Sequence, residues 1–387
     1  AQRRLGRMTT DAYARARAAL EADLPGLIEL SHRIYRNPEL GYQEVQAAAW
    51  LADALEAAGF ETERGYGDMP TAVVARTGTG PLHIAICSEY DALPDVGHAC
   101  GHNVICTAGL GAALALAPLA DELGLTVTLL GTPAEEGGGG KIGFIEGGFF
   151  RDVHASMMVH PYPVDVAEPN IIAVQQLVVT YAGVEAHASG YPWGGINAAD
   201  AMAVAQTAIA LSRQQMMPSD RVHGIVTKGG EAPNIIPRET TASFMVRAST
   251  SARLDELVGK VSRCFEAGAL ATGCTLDIQL DVAFADLVHD SELAAIYQKH
   301  AESFGRRFVE PPSPVSTDMG NVSHEVPSIH PFIGVESKGA VPHQEAFADA
   351  CAAPSADQAI FDGALGMALT VIDMATDEAI RARLLAG

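Results

Sequence analysis

Four polar clusters in the sequence carry side chains of the types that bind metal ions. They span residues 88–103, 131–141, 157–161 and 338–347, and each lies just after, or at the end of, an apolar run predicted to be a core strand. Open α/β sheets bind ligands at the edge where their strands end. The clusters therefore predict a site at one sheet edge. The candidate side chains are Asp91, His98, Cys100, His102, Glu135, Glu136, His160 and His343.

Five of these side chains form a donor set suited to zinc or another borderline transition metal. Cys100 and His102 are two residues apart, so in an extended or loop segment the sulfur and the imidazole can face one point. Glu136, His160 and His343 complete the set. Five protein donors exceed what one four-coordinate catalytic ion takes while it keeps a water molecule. A pair of ions that share a bridging ligand fits the set better.

Two adjacent carboxylates, Glu135 and Glu136, follow an apolar strand and precede a run of four glycines. Neighbouring carboxylates usually form a solvated surface pair, but a glycine run has little side-chain bulk and indicates a cleft here. Adjacent positions of an extended chain point in different directions. One carboxylate can therefore hold a metal ion while the other faces the bound water.

The elements that must position these side chains indicate an α/β domain with a buried sheet. An apolar run from about 104 to 116 follows the first cluster and is typical of a helix, which Pro118 helps to end. Short runs that are apolar on both faces are predicted to be strands. They span residues 71–76, 82–87, 125–130 and 156–160.

Residues from about 172 to 284 have a different pattern, in the order strand, helix, two strands, helix and strand. This order is the split βαβ arrangement of a ferredoxin-like module. The simplest organisation is a compact module inserted into the larger α/β domain. The residues predicted to face inward from its two helices are Met202, Ala205, Ile209, Leu254, Leu257, Val258, Val261 and Phe265.

The composition limits the classes of partner. The chain has 387 residues, with 25 Lys plus Arg against 47 Asp plus Glu and a formal net charge of −22. An acidic surface repels phosphate backbones and anionic lipids, and there is no long basic cluster, so we expect neither nucleic-acid nor membrane binding. Six scattered cysteines without a CxxC pair indicate a reducing compartment. The sequence shows no secretory leader pattern and no uninterrupted run of eighteen apolar residues, so we expect a soluble cytoplasmic protein.

Several segments, taken in order along almost the whole chain, resemble one known family. They are HACGHN, PAEEGGGGK, His160, GVEAHASGYPWGGINAADA, APNIIPRET and His343. Together they resemble the amidohydrolase branch of the aminoacylase/carboxypeptidase family of dinuclear metallopeptidases. This branch includes indole-3-acetyl-amino-acid hydrolases, hippurate hydrolases and the B subunit of p-aminobenzoyl-glutamate hydrolase.

The resemblance implies two divalent metal ions per subunit, zinc or manganese. They would lie in a catalytic domain, residues 1–172 and 286–387, with a mixed central sheet flanked by helices. Residues 173–285 would form an inserted ferredoxin-like lid that also makes a homodimer. Cys100 would bridge the two metal ions, and the other ligands would be His102, Glu136, His160 and His343.

The resemblance also implies catalytic and substrate-binding roles. Glu135 would be the general base and acid, and His187 would stabilise the developing oxyanion, often from the partner subunit. Asn234 and Arg247 would hold the carboxylate of the substrate, to which a planar guanidinium can donate two parallel hydrogen bonds. The reaction would be hydrolysis of an amide that joins an acyl or aminoacyl group to a small amino acid, as in N-acyl-amino acids and dipeptide-like conjugates.

The sequence departs from the wider family at two motifs. Many members carry an H-x-D strand-end motif and a bridging aspartate, where this chain has SEYD and offers Cys100. Asp91 is therefore expected to orient a histidine. Asn103 ends a motif that reads HACGHD in auxin-conjugate and many hippurate hydrolases. With STDMGNVSH and PSIHPF, it favours the subgroup that contains p-aminobenzoyl-glutamate hydrolase and β-alanyl-lysine-type dipeptidases.

Two other functions are consistent with parts of the sequence. Cys100 could be the nucleophile of a thiol hydrolase with His102 or His98 as its base, although residues two apart on a tight loop rarely reach the required geometry. The chain could instead be a non-catalytic scaffold or regulatory module with a structural metal. Glu135 argues against the scaffold, because a structural metal site needs no spare carboxylate.

Overall fold

The computed structural model describes residues 2–311 and 313–387, with side chains described from Thr9 onward. The chain divides into two compact units. The first unit consists of the residues up to Asn170 together with Leu287–Gly387, and the second unit is Ile171–Asp286. The second unit is therefore one continuous segment between the two parts of the first unit.

The described residues form twelve strands and twelve α-helices. The strands are β1 (Glu61–Tyr66), β2 (Met69–Thr77), β3 (Leu82–Glu89), β4 (Leu125–Thr132), β5 (Ala155–Met157), β6 (His160–Tyr162), β7 (Ala173–Ala182), β8 (Arg221–Lys228), β9 (Glu239–Ala248), β10 (Thr275–Leu280), β11 (Ser328–Ile329) and β12 (Phe332–Gly334). The helices are α1 (Gln2–Arg36), α2 (Val45–Ala57), α3 (His102–Leu116), α4 (Ala120–Leu123), α5 (Gly140–Glu146), α6 (Ala198–Ser212), α7 (Ser251–Thr272), α8 (Ser291–Ser303), α9 (Met319–Ser323), α10 (Glu345–Ala350), α11 (Pro354–Thr376) and α12 (Glu378–Ala386).

A six-stranded mixed sheet lies in the first unit, in the order β1-β2-β4-β3-β5-β11. Strands β4, β3, β5 and β11 are parallel, whereas β2 is antiparallel to both of its neighbours. Every residue of β3 is buried, and so is every residue of β4 except Thr126. Strands covered on both faces carry continuous apolar runs, which is why the sequence locates these two correctly. The predicted α/β class with a mixed sheet and helices is confirmed.

The apolar helices α3 and α11 pack against each other and against α1 in the core of the first unit. The helical segment His102–Leu123 and helix α11 are long and apolar enough to cross a membrane, but 83% of the apolar window of each is buried inside the protein. A helix that is apolar all round is typical of a protein core as well as of a membrane. Packing within the unit therefore accounts for the hydrophobicity of both segments.

The predicted strand at 156–160 is wrong as a single element, because the structure divides it into β5 and β6. Strand β5 pairs with β11 in the large sheet, whereas β6 pairs with β12 in a separate two-stranded sheet. The partner strands are themselves interrupted at His330 and Pro331, and proline has no N–H to donate to a sheet. His160 therefore begins a new strand and does not end the old one.

The second unit contains β7, α6, β8, β9, α7 and β10 in chain order. Its strands form an antiparallel sheet in the order β10-β7-β9-β8, and both helices pack against strands of this sheet. The side chains of Asn197 and Thr250 accept hydrogen bonds from N–H groups in the first turns of α6 and α7, which fixes where each helix begins. All the residues predicted to face inward from these helices are buried.

Replacement of Phe265 by alanine should destabilise the second unit by about 3–5 kcal/mol, because it leaves a cavity in a packed core. The Phe265 side chain is fully buried in α7, and its ring centroid is 5.2 Å from that of Phe244. Leu270 lies on the same helix and is 89% exposed, so Leu270→Ala should change the free energy of unfolding by less than about 0.5 kcal/mol. Urea denaturation followed by circular dichroism measures both changes. Equal losses in the two variants would contradict the packing of α7.

Candidate metal centre

The polar edge of the large sheet is formed by the segments that follow β3 and β4, which are parallel neighbours. Glu89 is the last residue of β3, and Asp91 comes two residues later. Glu135 and Glu136 follow shortly after β4 ends at Thr132. Because the carboxyl ends of parallel strands meet at one edge, four carboxylates from the end of β3 and the segments that follow β3 and β4 are brought to the same place.

The turn between Cys100 and α3 depends on glycine. Gly101 has a φ of +79°, and a Cβ atom there would lie 2.4 Å from Cγ of Pro161 and 2.8 Å from Sγ of Cys351. A residue with a side chain would be strained at this φ and would have to displace those neighbours. The turn makes His102 the fully buried first residue of α3 and leaves Cys100 on the loop before the helix.

A first group of possible metal donors consists of Cys100, His102 and His160, whose ligand atoms all lie within 4.8 Å of one another. Sγ of Cys100 is 3.5 Å from Nε2 of His160. Nδ1 of His102 is hydrogen-bonded to a carboxylate oxygen of Asp91 at 2.9 Å, which fixes the ring and leaves Nε2 for another partner. The prediction that Asp91 orients a histidine is thereby confirmed.

A second group consists of Cys100, Glu136 and His343, whose ligand atoms also lie within 4.8 Å of one another. Nε2 of His343 is 3.5 Å from Oε2 of Glu136, and the N–H of His343 donates to the carbonyl of Ala99 at 2.8 Å. The His343 side chain is 60% exposed. Cys100 belongs to both groups, so the structure brings together all five predicted donors, and the cysteine sulfur is common to the two groups.

Glu135 and Glu136 are adjacent in the chain, and both carboxylates approach His102: Oε2 of Glu135 lies 3.7 Å and Oε1 of Glu136 lies 3.8 Å from its Nε2. Glu135 also forms a third group of possible donors with His102 and Glu89. Burial, followed by the charges of Glu89 and Glu136, raises the pKa of Glu135 well above its usual range. Burial lowers the pKa of His160 to about 4, so this imidazole is neutral at pH 7, the form that binds metal.

The loop after β4 is held on both sides of Glu135. The N–H of Ala134 donates to a carboxylate oxygen of Glu44 at 2.8 Å, and the N–H of Glu136 donates to Asp91 at 2.9 Å. Ala134 has a φ of +57°, which is uncommon for a residue with a side chain. These contacts fix the backbone that carries the two glutamates.

The donor atoms fit a pair of divalent cations. Nε2 of His102, Oε1 of Glu136 and Oε2 of Glu89 are buried with no hydrogen-bond partner among the described residues. A buried polar atom that lacks a partner costs about 1–3 kcal/mol. Zinc and related ions take sulfur, imidazole and carboxylate ligands, so cations at this place would satisfy these atoms.

Three buried charged residues of the site are not among the predicted site residues. Nζ of Lys141 donates to the carboxylates of Glu89 and Asp318, the latter at 2.6 Å, and all three side chains are fully buried. The backbone N–H of Lys141 donates to the second oxygen of Asp318 at 3.0 Å. In the sequence, these three charges lie within the SEYD, GGGGK and STDMG segments. Charged residues of this kind are almost never fully buried unless they are paired.

His187 and Asn234 lie close together in the second unit. The N–H of Ala188 donates to the carbonyl of Asn234 at 3.0 Å, and His187 forms an isolated β-bridge with Ile235. Nδ1 of His187 accepts a hydrogen bond from the N–H of Gly190 at 3.0 Å, so the neutral ring carries its hydrogen on Nε2. The exposed imidazole is therefore oriented to donate a hydrogen bond from Nε2.

Arg247 does not lie with this pair. It is on β9 opposite Val174, near the start of β7, whereas the segment that carries His187 follows the end of β7 at Ala182. At about 3.3 Å per residue, the strand between Val174 and Ala182 spans roughly 26 Å. One copy of the second unit therefore presents Arg247 at the opposite end of its sheet from His187 and Asn234.

The sequence is similar to a known peptidase family and to several of its members. The family model described as peptidase family M20/M25/M40 matches residues 85–357, more than half of the chain. The chain is 37% identical over 366 residues to the Xaa-Arg dipeptidase of Mus musculus, and the match covers 89% of this chain and 84% of that protein. It is 31% identical over 302 residues to the B subunit of the p-aminobenzoyl-glutamate hydrolase of Escherichia coli (strain K12), and that match covers 72% of this chain and 63% of that protein.

A solved structure shares the fold. The crystal structure of a dinuclear metal-binding peptidase of the M20 family from Bacillus subtilis matches with a TM-score of 0.69 at 21% identity, and the match covers 91% of this chain and 99% of that chain. The family resemblance inferred from the motifs is confirmed, and so is the predicted class, a hydrolase of amide bonds. The chain belongs to peptidase family M20/M25/M40.

Proposed function

We propose that this member of the family uses two divalent cations to cleave the amide bond of N-acyl-amino acids or small dipeptide-like conjugates. The observation that carries the proposal is the presence of two donor groups, which share Cys100, beside the buried carboxylate of Glu135. A scaffold with a structural metal has a closed set of ligands and needs no further carboxylate next to them. The arrangement therefore supports catalysis over the scaffold alternative.

The charge of the buried cluster supports two cations. With cations bound, all five carboxylates would be ionised, and together with the ammonium of Lys141 they would carry four negative charges, which two divalent cations would balance. Without cations, protons balance part of this charge, since burial and the neighbouring carboxylates raise the pKa of Glu135. Zinc and manganese are both proposed, and a cysteine ligand favours zinc. The five carboxylates are those of Glu89, Asp91, Glu135, Glu136 and Asp318.

The cations and the side chains would assist different steps of amide hydrolysis. Bound cations would polarise the scissile carbonyl and acidify a water molecule. Glu135 would accept a proton from the attacking water and return it to the leaving nitrogen, and its raised pKa suits it to do both. His187 would donate from Nε2 to the oxygen that becomes negative.

The substrate proposal draws on the two relatives. One is named for Xaa-Arg dipeptides and the other for p-aminobenzoyl-glutamate, and in both compounds an amide joins the acyl part to an amino acid with a free carboxylate. We propose that Asn234 and Arg247 contact this carboxylate in the present chain. A guanidinium can donate two parallel hydrogen bonds to it.

We further propose that the second unit is a ferredoxin-like lid that also forms a homodimer. The β-α-β-β-α-β order and the β10-β7-β9-β8 sheet support the lid, since they match that module. The separation of roughly 26 Å along β7 supports the dimer, because one small substrate cannot reach both ends of one sheet. In a symmetric pair, Arg247 of one subunit and the partner subunit's His187 could meet the same substrate.

The cysteines support a reducing, cytoplasmic location and argue against a thiol nucleophile. All six cysteines are described, and all are free. Burial, followed by the charge of Glu136, raises the pKa of Cys100 well above its usual value, so without a cation the thiolate that nucleophilic attack needs is scarce, whereas a bound cation would itself deprotonate the thiol. We therefore assign Cys100 to metal binding and not to covalent catalysis.

Glu135→Gln should retain about two metal ions per chain but reduce kcat by about 10²- to 10⁴-fold, because the amide cannot accept the proton of water. His102→Ala should lose both metal and turnover. Glu63→Gln, on the exposed face of β1, is the matched control and should behave like the wild type. Elemental analysis and initial rates measure the two properties. Undiminished turnover in Glu135→Gln would reject the role of this residue.

Removal of metal should abolish amino-acid release, and addition of Zn²⁺ or Mn²⁺ should restore it. The assay uses N-acetyl, N-benzoyl, p-aminobenzoyl and β-alanyl conjugates and Xaa-Arg dipeptides, each as the free acid and as the C-terminal amide. If a carboxylate is recognised, the amidated compounds should have KM values raised about tenfold, which corresponds to about 1.4 kcal/mol. Activity that persists in chelator would contradict the metal requirement.

Mixed subunits should reveal whether His187 acts in the partner's site. Glu135→Gln and His187→Ala should each be nearly inactive alone. After the two variants are mixed and subunits exchange, half of the dimers contain both, and each of these has one intact site. Activity should therefore recover to about a quarter of the wild-type value. No recovery despite exchange, verified with differently tagged subunits, would place His187 in its own subunit's site.

A further inference from the structure

Glu89 faces the candidate metal centre with one of its two carboxylate oxygens. Oε2 of Glu89 lies 3.5 Å from Nε2 of His102, and both atoms are buried with no hydrogen-bond partner among the described residues. One oxygen of Glu135 is also close, within 4.8 Å of both ligand atoms. Three atoms that can all bind a cation therefore point to one place on the His102 side of the centre.

The other oxygen of Glu89 is held from behind by a second pair of charges. Nζ of Lys141 donates to Oε1 of Glu89 and to Asp318, and the backbone N–H of Lys141 donates to the same aspartate. Lys141 is at the start of α5, where a Cβ atom at Gly140 would lie 2.0 Å from the carbonyl oxygen of Pro133. The close approach of α5 to the loop after β4 thus fixes the lysine, and the lysine fixes Glu89.

The charges of this triad do not balance. Two carboxylates share one ammonium, all three side chains are fully buried, and one negative charge remains. Burial of an uncompensated charge is unfavourable unless another opposite charge faces it. The oxygen of Glu89 that faces away from Lys141 is the one directed at Nε2 of His102, so the balancing positive charge comes either from a protonated His102 or from a cation bound to the neutral ring.

We propose that Glu89 is an additional acidic ligand of the cation on the His102 side, and that Lys141 and Asp318 are positioning residues that hold it there. The proposal deepens the proposed function and rests on it. It assigns roles to three residues that the predicted donor set does not contain. Lys141 and Asp318 act on the cation only through Glu89.

Metal affinity measured with Zn²⁺ and with Mn²⁺ tests the proposal. Glu89→Gln should weaken one of the two binding events at least about tenfold, in the range typical of altered metal surroundings, and leave the other unchanged. The double variant K141M/D318N removes one positive and one negative charge, so the buried net charge is preserved, and it should weaken the same event. Asp362→Asn is the matched control, because Asp362 is a buried carboxylate paired with Arg306 at 2.8 Å, and it should leave both affinities unchanged.

Stability distinguishes a ligand from a structural residue. Zn²⁺ stabilises the protein by its binding free energy, so it should raise the urea midpoint of Glu89→Gln less than it raises that of the wild type. Unchanged metal affinity together with an equal loss of midpoint with Zn²⁺ and in chelator would overturn the proposal while leaving the proposed function intact. A wild-type protein that binds neither Zn²⁺ nor Mn²⁺ would overturn both.

Discussion

Negative charge collected at the end of β3 and β4 is the constraint on which the rest of the first unit depends. Parallel strands bring their carboxyl ends together, and here those ends carry acidic side chains that the surrounding apolar helices remove from water. Desolvated carboxylates repel one another and need either protons or cations. Two side chains can supply compensating positive charge here, the ammonium of Lys141 and the imidazole of His102. The donor groups around Cys100 could hold cations that supply the rest. The site is thus a place where the fold concentrates acidic side chains away from water.

Much of this could be predicted because the informative residues are local in the chain. Buried strands β3 and β4 appear as apolar runs, and donors of the right chemical type follow them directly. Strand β1 was missed because its alternating pattern is weak and mostly polar, with exposed residues on an edge of the sheet. The ion triad was missed for a different reason: Lys141 and Asp318 are 177 residues apart, and no local pattern reports a pairing over that distance.

The second unit shows what residue types alone cannot supply. His187, Asn234 and Arg247 have side chains suited to an oxyanion or a carboxylate, and the sequence identifies them on that ground. Asn234 and Arg247 are only thirteen positions apart, yet strand β9 between them is extended, so the two residues lie at opposite ends of one sheet. The residue type thus predicts which groups a side chain can bind, whereas the position of that side chain depends on the direction of the strand that carries it. In the proposed homodimer, Arg247 of one subunit and the partner subunit's His187 would contact the same substrate.

The division of the first unit into two chain segments affects how the protein can be made. Helix α11 packs on α3 and α1, so the core around the site stays incomplete until residues 354–376 have been synthesised. His343 also comes late, so a nascent chain on the ribosome holds the acidic edge without its final donor. The second unit is one continuous segment with its own core, and domains of this kind generally fold as units during synthesis. During translation the second unit should therefore fold first. The part of the first unit that precedes it should complete its core only after residues 287–387 have been synthesised.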